Sequence, residues 1–245
     1  MERNSNCDVK SDIFDLDCTL LPMDQEKFIY SYFSRLTGRL AQLGYEKDEV
    51  KKHIWNGTMA MERNDGILTN EQIFWNYFTN AYGGETLKHQ TVFEEFYRTD
   101  FQLVKEVCEV NPASRQVVDI LKGKGYPLIL ATNPLFPAIA TQSRVRWAGL
   151  QPEDFIHITT YENASYAKPN PSYYQEILDK LDLRAEECLM VGNDAKEDMA
   201  AEQVGMRVFL LTNLLINTDK LDISRYPQGG FPELLAYIEK LEKEN

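Results

Sequence analysis

Hydrophobic and polar positions follow two different patterns in the two parts of the chain. From about residue 127 onward, short apolar runs alternate with amphipathic segments, which is typical of a parallel sheet covered by helices. The predicted strands are PLILAT (127–132), FIHITT (155–160), CLMVG (188–192) and RVFLLT (207–212). Helical periodicity predicts five helices around them, over 111–125, 136–150, 170–181, 196–205 and 232–244. We therefore expect an α/β fold with helices on both faces of a parallel sheet.

Residues 22–105 have apolar positions at helical spacing and no convincing strand. The predicted helices run over 24–45, 47–63, 70–82 and 91–107, with glycine-containing turns between several of them. Thr69, followed three residues later by Gln72, predicts a capping box at the start of the third helix. A chain of 245 residues is long for one domain. We expect a main domain made of residues 1–21 and 106–245, interrupted by a helical insert at 22–105.

Composition and charge narrow the class of protein. Hydrophobic residues make up 43% and aromatic residues 11% of the chain, which is enough for a packed core. The net charge is −12 and no cluster of lysine and arginine stands out, so a nucleic-acid partner is not expected. No apolar run has the length of a signal peptide or a membrane span. We expect a soluble cytoplasmic protein without a membrane partner, and the sequence does not indicate its oligomeric state.

The cysteines and histidines are scattered along the chain. They form no CxxC pair and no spacing typical of zinc ligands, so neither a zinc site nor a disulfide framework is expected. The residues concerned are Cys7, Cys18, Cys108, Cys188, His53, His89 and His157.

Polar residues follow the predicted strands at the points where they end. In open α/β sheets, ligands bind beyond the carboxyl ends of the strands, so these residues are the candidate site. A further strand is expected to end at Phe14, and it is followed by Asp15 and Asp17 in the segment FDLDCTL. The other candidates are Thr132 and Asn133 in the strand predicted at 127–132 and just after it, and Asn193, Asp194 and Asp198 after the strand at 188–192. Lys168 precedes Pro169 just ahead of a predicted helix and joins the same edge.

Several carboxylates in one place repel each other unless a cation is present. Mg²⁺ is bound in proteins by one or two carboxylates together with water and substrate phosphate, and it matches these ligand types. The expected metal ligands are Asp15, Asp17 (whose backbone carbonyl could also bind) and Asp194, with Asp198 in support. Whether Asn193 or Asp194 faces the metal stays open, although a carboxylate neutralises charge and an amide does not.

The same residues divide into chemical roles. Asp15 is the candidate nucleophile, which would form an acyl phosphate and split hydrolysis into two steps. Asp17 is the candidate general acid and base. Thr132, Asn133 and Lys168 are the candidate substrate-binding residues, because a hydroxyl, backbone N–H groups at a helix N-terminus and a cation stabilise phosphoryl oxygens. Thr132 and Lys168 are counted among the catalytic residues as well.

Four segments in this order resemble the four motifs of the haloacid dehalogenase (HAD) superfamily: FDLDCTL, LATNP, Lys168 and VGNDAKED. The resemblance covers residues 12 to about 212. It implies a Rossmann-like core, an α-helical cap at residues 22–105, an aspartyl-phosphate mechanism and Mg²⁺ as cofactor. Cys18 stands where many members of the superfamily have glycine.

The favoured function is hydrolysis of a small phosphorylated metabolite. Asp17 favours it, because a leaving alkoxide needs an acid and a leaving halide does not, and the dehalogenase branch of the superfamily lacks an acid there. A phosphomutase, which passes the phosphoryl group to a sugar, is the nearest alternative. Weaker alternatives are a 2-haloacid dehalogenase, a phosphorylated signalling receiver and a silent binding protein. The sequence does not identify the substrate.

Overall fold

The centre of the protein is a six-stranded parallel sheet with the strand order β3-β2-β1-β4-β5-β6. The computed structural model describes residues 11–243, with side chains as far as residue 241. The strands are β1 (Ser11–Phe14), β2 (Leu128–Leu130), β3 (His157–Ile158), β4 (Cys188–Gly192), β5 (Arg207–Leu211) and β6 (Gln228–Gly229). The predicted α/β class with a parallel sheet is confirmed.

Strand β1 lies at the centre of the sheet, hydrogen-bonded to β2 and β4. Phe14 is in register with Leu130 on one side and with Val191 on the other. The three strands are parallel and in register, so their carboxyl ends meet at one edge. Ser11 and Asp12 are at most 1% exposed, although their polarity is unusual for a strand buried on both faces.

Side chains of the strands alternate between two hydrophobic cores, as the pleat of a strand requires. Phe14 and Val191 belong to the first core and Ile13 and Met190 to the second. The first core is covered by helices α5 (Pro112–Gly123), α6 (Ala138–Trp147) and α8 (Phe231–Lys243). The second is covered by α7 (Pro171–Leu181) and a 3₁₀ helix (Met199–Val204). The predicted helices on both faces are thus confirmed.

Four α-helices lie within residues 22–105, as predicted for the insert. They are α1 (Gln25–Ala41), α2 (Lys47–Glu62), α3 (Asn70–Tyr82) and α4 (Gln90–Arg98). The capping box of Thr69 and Gln72 is present, and α3 begins at Asn70. Residues 22 and 105 as boundaries of a separate domain stay a prediction.

Three elements differ from the prediction. The helix expected over 91–107 ends at Arg98, because Thr99 leaves helical geometry and its hydroxyl donates to the Glu95 carbonyl at 2.7 Å. A 3₁₀ helix (Asp100–Val107) follows it. The segment 196–205 forms a turn and a short 3₁₀ helix instead of an α-helix, and the strand expected over 155–160 pairs only at β3.

Strand β6 has no strand pattern in its sequence and was not predicted. Over residues 11–243, no helix is both long and apolar enough to cross a membrane.

Candidate active site

Asp15 is the first residue after β1 and is 7% exposed. Its N–H donates to the Val191 carbonyl at 2.9 Å, which extends the β1–β4 pairing by one residue. The chain then turns sharply around Leu16, whose carbonyl accepts hydrogen bonds from the three N–H groups of residues 19–21. Cys18 has φ 62°, in the left-handed region that glycine adopts without strain. This turn brings Asp15 and Asp17 to the carboxyl edge of the sheet.

Lys168 joins two of the predicted carboxylates. Its Nζ lies 2.9 Å from Asp15 Oδ1 and 2.6 Å from Asp198 Oδ1, and its side chain is 1% exposed. Burial alone would lower the pKa of Lys168, but the two carboxylates outweigh burial and raise the pKa above its usual value. The ammonium is therefore charged, and it leaves Asp15 Oδ2 as the oxygen that is not bound to Lys168.

Asn133 connects Lys168 to a carboxylate that the sequence interpretation missed. Its Oδ1 accepts from the Lys168 N–H at 3.3 Å, and its Nδ2 donates to Glu197 Oε2 at 3.2 Å. Burial raises the pKa of Glu197 to about 8. Glu197 stands within the segment VGNDAKED, so its position was visible, but nothing in the sequence singled it out among the acids there.

Thr132 is 1% exposed and directly follows Ala131 after β2. Its main-chain carbonyl accepts from the Thr159 hydroxyl at 2.7 Å and from the Tyr173 hydroxyl at 2.9 Å. Two buried hydroxyls from other elements thus fix the backbone that carries the predicted phosphate-binding hydroxyl.

The three residues after β4 have different surroundings. Asn193 is 1% exposed, accepts from the Thr19 hydroxyl at 2.9 Å and donates to the Leu214 carbonyl at 2.6 Å. Asp194 is partly exposed, and its Oδ1 accepts from the N–H groups of residues 196 and 197, both at 2.8 Å. Because both ends of the Asn193 amide are engaged by the protein, this geometry favours Asp194 as the residue that faces a ligand.

Asp198 is held on both sides. Its Oδ1 binds Lys168, and its Oδ2 accepts from the Asp194 N–H at 2.9 Å. Gly192 lies directly beneath it, so that a Cβ there would lie only 2.6 Å from the Asp198 Cβ. Asp198 therefore binds Lys168 and the Asp194 backbone, and its supporting role in a metal site stays a prediction.

Asp17 forms an ion pair with Arg144, a residue that the sequence interpretation missed. Burial raises the pKa of the Asp17 carboxyl, and the nearby guanidinium lowers it, with a net shift upward. The sequence signal that could have indicated a buried Arg144 was its helical spacing. Ala140, Arg144 and Ala148 lie four residues apart on one helical face, and all three are buried. The pairing itself joins residues 127 positions apart in the chain.

The donors present at the edge of the sheet suit a hard cation. Over residues 11–243, no group of three or more His, Cys, Asp or Glu side chains is arranged to hold a metal ion. Mg²⁺ does not need such a group, since it keeps several waters and uses one or two carboxylates. The Asp15 and Asp194 carboxylates and the Asp17 main-chain carbonyl are oxygen donors of the required type, so the residues fit Mg²⁺.

The helical insert reaches the same edge of the sheet through Asn70, which is 0% exposed. Its Nδ2 donates to the Pro134 carbonyl at 3.2 Å and to the Tyr166 carbonyl at 3.1 Å. Its Oδ1 accepts from Asn64 Nδ2 at 2.8 Å. Pro134 follows Asn133, so the insert is bonded to the loop that carries the predicted substrate-binding residues. No pattern in the sequence indicated this contact.

Comparison with known proteins gives the following similarities. The model of the haloacid dehalogenase-like hydrolases matches residues 12–205. A phosphoglycolate phosphatase of Vibrio parahaemolyticus serotype O3:K6 is 23% identical over 210 residues, which cover 84% of each chain.

Two solved structures illustrate the likeness of fold. A 2-haloacid dehalogenase from Pseudomonas syringae pv. Tomato has a TM-score of 0.62 at 22% identity, with 95% of this chain and 99% of that chain covered. A HAD phosphatase from Thermococcus onnurineus has a TM-score of 0.57 at 20% identity, with 94% and 97% covered.

Proposed function

Because this chain belongs to the haloacid dehalogenase-like hydrolases, we propose that it is a phosphatase that hydrolyses a small phosphorylated metabolite through an Asp15 phosphoryl intermediate. The observation that carries the proposal is the pair of acids at the end of β1. Asp15 is bound to a buried ammonium, and Asp17, two residues on, is bound to a buried guanidinium. Two neighbouring carboxyls with different partners suit two different roles.

In the first step, an Asp15 carboxylate oxygen attacks the phosphorus of the substrate. Lys168 already binds Oδ1, so Oδ2 is the attacking oxygen. The bond from phosphorus to the leaving oxygen breaks, and that oxygen takes the proton of the Asp17 carboxyl. Burial raises the pKa of Asp17, which favours the protonated form that this step needs. An alcohol leaves, and the phosphoryl group is bound to Asp15.

In the second step, water hydrolyses the acyl phosphate. Asp17, now a carboxylate, takes a proton from the water as it attacks phosphorus. The bond between phosphorus and Asp15 Oδ2 breaks, so inorganic phosphate leaves and the Asp15 carboxylate is restored. Over the cycle one water is consumed, and Asp17 ends protonated as it began.

Thr132, Asn133 and Lys168 bind the phosphoryl oxygens in this proposal. Lys168 brings a positive charge within 2.9 Å of the attacking carboxylate, where negative charge from the phosphoryl group accumulates. The Thr132 backbone is fixed by two hydroxyls, so its own hydroxyl is presented without a cost of reorganisation.

Mg²⁺ completes the proposed site. When bound, it neutralises the charge of the phosphate and of the carboxylates around it. Asp15, Asp194 and the main-chain carbonyl of Asp17 would hold it. Asp198, whose two oxygens bind Lys168 and the Asp194 N–H, would support them.

Residues 22–105 act, in the same proposal, as a cap domain over this site, with residues 1–21 and 106–245 as the core domain. Support comes from Asn70, which joins the insert to the loop after Asn133 and to the segment before Lys168. A substrate bound at Asp15 would then be enclosed between the two parts, which keeps bulk water away from the acyl phosphate.

A sugar phosphomutase uses the same phosphorylated aspartate and is the second candidate. It passes the phosphoryl group to a sugar hydroxyl instead of water. A 2-haloacid dehalogenase is a weaker candidate, because the buried Arg144–Asp17 pair maintains an acid for which halide release has no use.

The test is phosphate release from a panel of sugar phosphates, nucleoside monophosphates and small acid phosphates that includes phosphoglycolate. Each is measured with Mg²⁺ and with chelator, for the wild type and for Asp15→Asn. We expect metal-dependent release that Asp15→Asn abolishes. An isomerised sugar phosphate without free phosphate would favour the mutase, and release that persists in Asp15→Asn would overturn the mechanism.

A further inference from the structure

Arg144 is a fully buried cation, and among the described residues its one carboxylate partner is Asp17. Its side chain is 1% exposed on α6, and its NH1 pairs with Asp17 Oδ2. Its NH2 donates to Thr141 Oγ1 at 3.2 Å, and its guanidinium lies over the Phe136 ring, 4.5 Å from the centroid. The plane of the guanidinium is thus constrained from its edge and from its face.

This constraint fixes the orientation of the Asp17 carboxyl. Arg144 occupies Oδ2, so Oδ1 is the oxygen left for proton transfer. Asp17 Oδ1 is itself buried and has no hydrogen-bond partner within the part of the chain that the structure describes. A buried oxygen without a partner is costly. That cost is relieved when a ligand brings a polar group to this oxygen, as the leaving oxygen of a substrate does.

We propose that Arg144 is a positioning residue that holds the Asp17 carboxyl so that Oδ1 faces the leaving oxygen of the substrate. The inference rests on the proposed phosphatase function, in which Asp17 is the general acid. Stability alone does not account for the pair, because a buried ion pair is often no more stabilising than apolar residues of similar volume.

Phe136 links this arrangement to the helical insert. Its ring packs against the rings of Tyr32 at 5.3 Å, Phe28 at 6.2 Å and Phe101 at 6.3 Å between centroids. All three belong to the segment between β1 and β2. The aromatic residues of the insert therefore hold the surface on which the Arg144 guanidinium lies.

The test compares two aryl phosphates whose leaving groups differ in basicity. The phenolate oxygen of phenyl phosphate needs a proton to leave, whereas the less basic p-nitrophenolate of p-nitrophenyl phosphate leaves readily without one. We expect Arg144→Met to lower kcat/KM, which reports the first step, by about 100-fold for phenyl phosphate, in line with the contribution of a general acid, and by less than about 10-fold for p-nitrophenyl phosphate. The second step is the same for both esters and uses Asp17 as its base, so any loss in that step affects kcat alike for both. Arg144→Lys should recover part of the loss, because lysine keeps the charge without the planar fork.

Two controls separate positioning from a general disturbance. Arg146→Met removes an exposed cation from the same helix and should leave both rates unchanged. In an Asp17→Asn background, Arg144→Met should cause little further loss, since a residue that acts through Asp17 has nothing left to act on.

Equal losses of kcat/KM on the two esters, or a full further loss in the Asp17→Asn background, would overturn the inference while leaving the phosphatase function intact. A wild type that releases phosphate from neither ester nor the metabolite panel would overturn both. If Arg144→Met does not fold, Phe136→Leu takes its place. This variant keeps the charge of Arg144 and removes the ring beneath the guanidinium. It should lower the rate with phenyl phosphate more than the rate with p-nitrophenyl phosphate, by a smaller factor than Arg144→Met.

Discussion

Replacing Lys168 by methionine should destabilise the protein strongly. The ammonium lies 2.9 Å from Asp15 and 2.6 Å from Asp198, and the side chains of these carboxylates are 10% and 1% exposed. Without the cation, two buried carboxylates remain with no compensating charge. Removing one partner of a buried ion pair costs about 3–5 kcal/mol. We therefore expect the free energy of unfolding of Lys168→Met to fall by about 3–5 kcal/mol.

The assay is urea unfolding at neutral pH with chelator present, so that a bound metal does not add to the stability. With a slope of about 2–3 kcal/mol per molar urea, the midpoint should fall by about 1–2 M. The matched control is Lys27→Met, which breaks an exposed pair with Asp24 at 2.9 Å and should leave the midpoint close to that of the wild type. Adding Asp198→Asn to Lys168→Met should restore about 1–3 kcal/mol. Equal midpoints for Lys168→Met and Lys27→Met would refute the reasoning.

Three further changes have expected outcomes. Gly192→Ala places a Cβ against Asp198 and should lower the free energy of unfolding, measured in urea, by about 1–3 kcal/mol. It should also lower the rate of phosphate release. If neither quantity changes, the close approach of Gly192 and Asp198 is contradicted. Burial lowers the pKa of His157 below 6.5, so the unfolded state binds the proton more readily than the folded state. The free energy of unfolding therefore falls as the pH drops below 6.5. His157→Gln should reduce this fall between pH 7 and pH 5, and a variant with the same pH profile as the wild type would contradict the prediction. Asn70→Leu leaves the Pro134 and Tyr166 carbonyls without their donor. It should lower the free energy of unfolding by about 1–3 kcal/mol and speed proteolysis of the insert. The exposed control Asn80→Leu should behave as wild type.

The fold was largely predictable, because strand and helix periodicity is local. The strands that follow residue 127 and the capping box at Thr69 are read from neighbouring residues alone. The errors occur where side chains compete with the backbone for hydrogen bonds. The Asp194 carboxylate accepts from two N–H groups just after β4, and the segment from 196 then turns instead of continuing as a helix.

The candidate site was predictable as a set of strand-end residues, but their partners were not. Parallel strands end at one edge, so Asp15, Thr132 and Asp194 had to lie near each other. The pairing of Asp17 with Arg144 depends on how α6 packs, and one sequence carries no record of contacts between distant residues. The same holds for Asn70, whose partners lie in two core loops.

The most direct test of the central claim is to find the phosphoryl group on the enzyme. The protein is mixed with Mg²⁺ and a substrate from the panel, and the reaction is quenched with acid within the first turnovers. The protein is then digested, and the peptide that carries residues 12–21 is fragmented in a mass spectrometer. We expect one phosphoryl group on Asp15. With p-nitrophenyl phosphate, whose leaving group needs no acid, the occupancy should be higher in Asp17→Asn, because the second step then lacks its base. Phosphate release with no phosphoryl group on Asp15, or with the group on another residue, would contradict it.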